Sequence, residues 1–261
     1  MSLILDAVKS TIPRDYYSLP VEKLSTFSYV TTVKTKRLGI CMTLSDDRIF
    51  PYRMNLPISN LGSIEKLGLG KIISWTDSLH GIERSFAIAA INSALPLKGN
   101  RFFSGNALEV ADRLGAGKKV AVVGHFPHLD RIKNVASEFY IIEKRPQEGD
   151  LPAEAAVDII PKMDLVAITG VTCLNDTIEG LLALKKKNAV FIVLGPSVPL
   201  SPVLFDFGVD IIGGAWVEDE ETVYKFAMQG GAPRTLVGLK NVLLPAAPEI
   251  LEDYEEIRAP D

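Results

Sequence analysis

The sequence predicts an α/β protein in which a mostly parallel sheet, with helices on both faces, follows a smaller α+β region. Three observations carry this. From Lys118 onward, apolar runs of strand length alternate with helical patterns, as β-α units and a parallel sheet require. Residues 165–168 (Leu-Val-Ala-Ile) are apolar without alternation, which fits a parallel strand covered on both faces. Before residue 96 the pattern is different. Stretches rich in Val, Thr, Ile, Phe and Tyr flank Lys34-Thr35-Lys36, which reads as an antiparallel hairpin.

In chain order, residues 3–12 read as an amphipathic helix ended by Pro13. Residues 22–33 and 37–44 are the two arms of the hairpin. Residues 46–57 read as loop, 61–67 as a short helix stopped by Gly68, and 71–75 as a strand. Residues 80–95 form a helix that is apolar almost all round and therefore buried. On it, Glu83, Ala87, Ala90 and Ala94 share a small-residue stripe suited to close packing. Asn92 lies on another face with Ser85 and needs a hydrogen-bond partner if buried. Pro96 ends this helix and residues 97–105 read as a connection. The expected domains are residues 1–100 and 101–261.

In the second part, residues 120–123 are a strand, and Gly124-His125-Phe126-Pro127-His128 turns into a helix with Pro127 in its first turn. Residues 139–142 are the next strand, ending at Glu143, and 154–160 a short helix. After the strand 165–168 comes the polar turn Thr169-Gly170-Val171-Thr172-Cys173-Leu174-Asn175. Asp176 with Glu179 then forms a capping-box pattern, and Ile178, Leu181, Leu182 and Leu184 keep helical spacing. Residues 189–194 are a strand, Ser201 and Pro202 the cap and first position of another helix, and Ile211 and Ile212 the centre of a further strand. Residues 219–229 read as a helix and 249–256 as a solvated acidic helix or tail.

Composition narrows the function classes. The hydrophobic share of 47% and charged share of 23% are those of a globular protein. A net charge of −4 argues against a sequence-independent hold on nucleic acid. No apolar run reaches membrane-spanning length; the nearest, residues 86–97, contains Asn92, Ser93 and Pro96. A basic segment followed by a long apolar one is missing from the N-terminus, so no signal peptide is expected. Two cysteines, Cys41 and Cys173, rule out a disulfide framework, and a cytoplasmic location with reduced thiols is expected.

Four ordered stretches resemble one family: V-V-G-H-F-P-H-L-D from Val122, I-E-K-R-P-Q-E-G-D from Ile142, I-T-G-V-T-C-L-N-D-T from Ile168 and G-P-S-V-P-L-S-P-V-L-F from Gly195. I-E-R-S-F-A-I-A-A-I-N-S-A-L from Ile82 resembles the first domain of the same family. It is a bacterial and archaeal family whose description proposes heavy-metal chelation and whose biochemical function is unassigned. The resemblance covers nearly the whole chain. It implies an enolase-N-terminal-like domain, then a Rossmann-like domain, with a site between them and no established reaction. Where members often carry Gly in the Ala-rich helix, this chain has Ala87.

Candidate sites cluster on the turns that follow strands, since open α/β sheets bind ligands beyond the carboxyl ends of their strands. Gly124, Gly170 and Gly195 each stand where a phosphate-binding turn would, but neither G-x-G-x-x-G nor G-x-x-x-x-G-K-[ST] occurs. They are otherwise plain tight turns. His125 and His128, with Cys173 and Glu143, supply metal-ligand types without metal-ligand spacing, so no direct metal ligand is assigned. A metal could still arrive already chelated by a small ligand. Thr169, Thr172, Ser197 and Cys173 are nucleophile types and His125 a base type, yet no G-x-S-x-G elbow is present, and no catalytic residue is assigned. Asn175 is either a ligand contact or an Asx-turn bracing the loop.

The expectation is a cytoplasmic protein that binds a small polar ligand in an inter-domain cleft, in heavy-metal chelation or metal-chelator metabolism. Its ligand residues would be His125, Thr169, Gly170, Thr172, Asn175, Gly195 and Ser197, with Asn92 from the first domain. One rival is a Rossmann-like enzyme with a nucleotide cofactor. It would use Gly124 and Glu143, because an acidic residue about 20 positions after the glycine turn hydrogen-bonds ribose in such sites. The other rival is a non-catalytic metal-binding or structural protein. Cofactor identity and a homo-oligomeric state are left open.

Overall fold

The computed structural model describes residues 2–44, 58–232 and 235–260, so the loop expected over residues 46–57 lies outside the described residues. Helix α1 (Leu3–Ser10) begins where Ser2 Oγ accepts the Leu5 N–H at 3.2 Å, and it buries Ile4, Leu5 and Val8. A 3-10 turn (Arg14–Ser18) leads to strands β1 (Lys23–Thr26), β2 (Val30–Lys34) and β3 (Leu38–Met42). These form an antiparallel meander in the order β1-β2-β3. The first arm of the expected hairpin is therefore two strands, because Phe27 N donates to Val30 O and closes a turn inside it.

A 3-10 turn (Ile64–Leu67) stops at Gly68, whose φ is +75°. The strand expected next is instead helix α2 (Leu69–Ile73), continued by a 3-10 turn (Ser74–Asp77). Leu69, Ile72 and Ile73 are its buried residues, at i, i+3 and i+4, and so short an apolar run does not distinguish the two states by periodicity alone. Helix α3 (Gly81–Ala94) is buried along most of its length. His80 Nδ1 caps it by accepting the Ile82 N–H, and Arg37 closes its other end by donating to Asn92 O and Leu95 O. Burial lowers the Arg37 guanidinium to about 10, against a smaller upward pull from Tyr16. The close approach of α3 is not on its alanine stripe. A Cβ at Gly39 of β3 would overlap Ala89 O and Ser93 N, so the residue that admits the helix is a glycine in the strand.

From the expected connection the chain enters a second, larger sheet. Strand β4 (Phe102–Ser104) occupies part of residues 97–105, and helix α4 (Ala107–Gly115) follows, capped by Asn106 Oδ1 on Leu108 N–H at 2.9 Å. Then come β5 (Lys119–Val123), α5 (Leu129–Val135), β6 (Glu138–Glu143), β7 (Leu151–Pro152), α6 (Ala156–Ile159) between two 3-10 turns, and β8 (Leu165–Thr169). They are followed by α7 (Val171–Leu174), α8 (Ile178–Leu182), β9 (Val190–Leu194), α9 (Val203–Asp206) and β10 (Ile211–Val217). Helix α10 (Glu220–Met228), β11 (Leu239–Pro245), a 3-10 turn (Pro248–Leu251) and β12 (Glu256–Ile257) complete the chain. The expected acidic tail is thus partly ordered: Leu251 is fully buried, and Glu256 pairs with Phe103 of β4 while its carboxylate meets Arg101. Ser201 does not cap α9, whose first turn opens from Pro202.

The sheet order is β12-β4-β11-β10-β9-β8-β5-β6-β7. Strands β10, β9, β8, β5, β6 and β7 run parallel, while β4 is antiparallel to both its neighbours. Numbering the parallel strands one to six in chain order gives 3-2-1-4-5-6 from β7 to β10, the Rossmann arrangement. Val120, Val122, Leu165, Ala167, Ile192 and Leu194 fill the core on one face. Their alternates Ala121, Val166, Ile168, Phe191 and Val193 are equally buried, which is why these strands read as continuous apolar runs.

The chain divides into two compact units. One comprises Met1–Leu97, Pro199–Ser201 and Ala215–Lys240; the other comprises Lys98–Val198, Pro202–Gly214 and Asn241–Asp261. The excursion 215–240 thus packs with the first unit, whereas a division at residue 100 puts it in the second. Its ties are specific. Asp219 caps α10 on Thr222 N–H, Glu220 meets Lys34 at 2.5 Å, and Lys23 stands 3.5 Å over the Tyr224 ring.

Candidate functional site

Strands β9, β8, β5, β6 and β7 deliver their last residues to one edge of the second unit, and β9, β8 and β5 are adjacent there. The opposite edge is closed by ion pairs. Asp164, just before β8, accepts the Lys119 N–H and meets Lys186 at 2.7 Å; Asp210, just before β10, accepts the Phe191 N–H and meets Lys185 at 2.6 Å. The carboxyl edge carries polar turns and glycines instead.

The order reverses between β5 and β8, the topological switch point. There Gly124 (φ +103°) follows β5, with its N–H on Ile142 O. A Cβ at Gly124 would stand 2.9 Å from Thr169 Cγ2, so only glycine lets these two turns lie side by side. Helix α5 starts at Leu129, later than the sequence suggests: His128 takes φ +62° and acts as its N-cap, leaving Pro127 outside. After β8, Gly170 donates to Leu194 O at 2.7 Å, and its added Cβ would stand 2.5 Å from Val198 Cγ2. The turns after β8 and β9 are therefore packed backbone to backbone.

Within the β8 turn the hydroxyls are engaged locally. Thr172 Oγ1 donates to Thr169 O at 2.6 Å, Thr169 Oγ1 accepts the Val171 N–H, and Asn175 Oδ1 accepts the Thr177 hydroxyl at 2.5 Å. Asn175 so braces the loop through its oxygen. Asp176 is not a helix cap: it takes φ +56°, and α8 begins from Thr177 without a side-chain cap bond. The residue before the helix had to reverse the chain out of α7, and the capping box gave way to that turn. Gly195 (φ +119°) donates to Gly213 O, and Ser197 is buried beneath.

At the end of β6, Glu143 Oε1 accepts the N–H of Lys144 at 2.7 Å and of Arg145 at 3.4 Å. It bonds to its own turn rather than pairing with a local cation. The loop beyond it ends at Asp150, which the sequence reading did not single out. Asp150 Oδ2 meets His125 Nε2 at 2.5 Å and accepts the Gln147 N–H at 2.8 Å. Burial pushes the Asp150 carboxyl up, but the His125 bond, the Gln147 N–H and the His125 charge outweigh it, and the net shift is downward. Asp150 closes the quoted motif from Ile142 to Asp150, yet no spacing rule links it to His125. Cys173 is fully buried, and burial alone pushes its thiol up to about 12. It is therefore no thiolate ligand at rest. Among the described residues no group of three or more His, Cys, Asp or Glu is placed to hold a metal ion.

Asn92 belongs to the first unit. Its Nδ2 donates to Ile40 O at 3.0 Å, and it lines, with Arg37, Leu200 and Trp216, a cavity of about 20 Å³, room for a single water. Among the described residues no helix is long and apolar enough to cross a membrane.

Fold and edge together define a two-unit α/β protein with a Rossmann-type parallel sheet. Residues 106–241 match the DUF364 family and residues 12–95 the DUF4213 family, both described as "Putative heavy-metal chelation". The chain belongs to the DUF364 family. An uncharacterised protein of Methanocaldococcus jannaschii is 30% identical over 203 residues, 74% of this chain and 76% of that one. A crystal structure of a DUF364 protein of unknown function from Desulfitobacterium hafniense is 26% identical with a TM-score of 0.77, covering 93% of this chain and 97% of that chain. Another, from Pyrococcus horikoshii, shares the fold at 20% identity with a TM-score of 0.72, over 94% and 100% of the two chains.

Proposed function

We propose that the carboxyl edge of the parallel sheet binds a small polar molecule, at a site built from Gly124, His125, Thr169, Gly170, Asn175 and Gly195, with Thr172 and Ser197 buried beneath them. The observation that carries this is the switch point, where Gly124 abuts Thr169 and polar turns and glycines meet beyond the carboxyl ends of the strands. Asn175 uses its oxygen on Thr177, which leaves its amide N–H groups to donate, and Thr172 keeps lone pairs after giving its proton to Thr169 O. The family description supports a place in metal-chelator metabolism. Two buried free cysteines support the cytoplasm. The reading does not use Asn92.

The strand order also favours a second reading, a nucleotide-using enzyme, because Rossmann sheets bind dinucleotides at this switch point. Against it, Glu143 spends one carboxylate oxygen on its own turn, and the helices after Gly124 and Gly170 are short: α5 has 7 residues and α7 has 4. Native mass spectrometry of gently purified protein separates the two by the mass retained. A small organic molecule, with or without metal, is expected, and Asn175→Ala should release it at a stability cost of no more than about 1 kcal/mol, that of the lost Thr177 bond. A retained nucleotide would favour the second reading; retention untouched by Asn175→Ala would overturn the first.

A further inference from the structure

The Asp150 carboxylate is covered, with a side chain 3% exposed, but the ring it holds is 34% exposed. With Gln147 N–H and His125 Nε2 both on Oδ2, the carboxylate accepts the ring's Nε2–H, which leaves Nδ1 as the ring nitrogen that can offer a lone pair to a ligand. Among the described residues nothing bonds to Nδ1. Proteins present a metal-ligating imidazole in this way, one ring N–H given to a carboxylate and the other nitrogen left as donor.

The edge offers the metal little else. Cys173 is a buried thiol, Glu143 bonds to its own backbone, and no cluster of three ligand types exists among the described residues. One imidazole does not hold a divalent ion against water. It does fill the last position of an ion whose other positions a small polydentate molecule already occupies. We infer that His125, oriented by Asp150, is the single protein ligand to the metal of such a chelate. The ligand class is then a first-row divalent ion, of the kind imidazole suits, bound in a small oxygen- and nitrogen-donor chelator with an open coordination position. This rests on the edge-binding reading above and names its ligand.

The test uses the full chain and three probes: nickel(II) nitrilotriacetate, which leaves positions open; nickel(II) ethylenediaminetetraacetate, which fills them; and nickel(II) chloride alone. Calorimetry and the visible ligand-field spectrum report binding. The nitrilotriacetate complex is expected to bind with one-to-one stoichiometry and a shifted spectrum. Binding should weaken about tenfold or more in His125→Ala and in Asp150→Asn, and stay unchanged in His128→Ala. The filled complex should not bind, and the free ion should bind no better to the wild type than to His125→Ala. Equal binding of the filled complex, wild-type affinity in His125→Ala, or no binding of the open complex would overturn the inference. If an organic molecule is nevertheless retained in His125→Ala and lost in Asn175→Ala, edge binding stands and only the metal ligand falls. If nothing is retained and no chelate binds, both fall.

Discussion

Two carboxylates with covered side chains, one in each unit, are built from similar parts and have different partners. Glu83, in the first turn of α3, accepts the Ser78 hydroxyl at 2.5 Å and the Ser59 N–H at 2.7 Å, and it is 6% exposed. Ser78 Oγ in turn accepts the His80 N–H at 3.0 Å, so the network closes on local backbone and three chain segments are pinned at a helix N-terminus. Asp150 also takes a backbone N–H, but its second partner is a histidine ring with another nitrogen on the far side. The lesson is in where the bonds of each carboxylate lead: those of Glu83 return to local backbone, and those of Asp150 reach a ring with a second nitrogen. Burial alone does not distinguish the two.

The comparison breaks first on packing. If the first unit is scaffold, its tightest contact should dominate stability. Gly39→Val would drive a side chain into the α3 backbone at Ala89 and Ser93, where backbone cannot yield. A loss of about 3 kcal/mol or more is expected by denaturant unfolding; a loss below about 1 kcal/mol would show that the helix moves aside.

A smaller effect is expected at Glu83. Glu83→Ala leaves the Ser78 hydroxyl and the Ser59 N–H without their acceptor, at a cost of about 2 kcal/mol. Ligand retention at the sheet edge should not change, and a parallel loss of both would erase the contrast with Asp150.

The gentlest test is acid. Burial raises the Glu83 carboxyl, but hydrogen bonds from Ser78 and Ser59 and the nearby His80 lower it more, so its folded value lies below the ordinary one. A depressed folded pKa contributes stability above the unfolded value, about 4.3, and that contribution is lost as pH falls through the folded value. Denaturation midpoints measured from about pH 6 downward should therefore fall in the wild type, and fall less steeply in Glu83→Gln. An identical acid limb in the variant would mean that Glu83 is not held charged.

Much of the scaffold was legible from the residues. The strands β5, β8 and β9 announced themselves because both sheet faces are covered, which forces near-continuous apolar runs; β6 read as a strand from its own apolar run although only Ile142 in it is buried. Helix α10 was legible from Asp219 and its periodic apolar residues. Helix α4 was overlooked although Asn106 before A-L-E-V-A-D-R-L is a cap signal. Strand β4 has 3 residues and β12 has 2, too few for a period. Of the site, the glycines and the polar turn after β8 stood out, since a turn with surplus hydroxyls and amides is a local property. Asp150 did not, being one carboxylate in an exposed-looking loop.

By itself, then, the chain determined what local chemistry decides: which segments are apolar enough for parallel strands, where glycine must follow them, and, from a net charge of −4 and two cysteines, that neither a sequence-independent hold on nucleic acid nor a disulfide framework is expected. Only the tertiary structure decided that Gly39 admits α3, that residues 215–240 pack with the first unit, and that Asp150 stands behind His125. Those are contacts between segments far apart in sequence. Their energy depends on distance and burial in three dimensions, which no residue carries in its own neighbourhood.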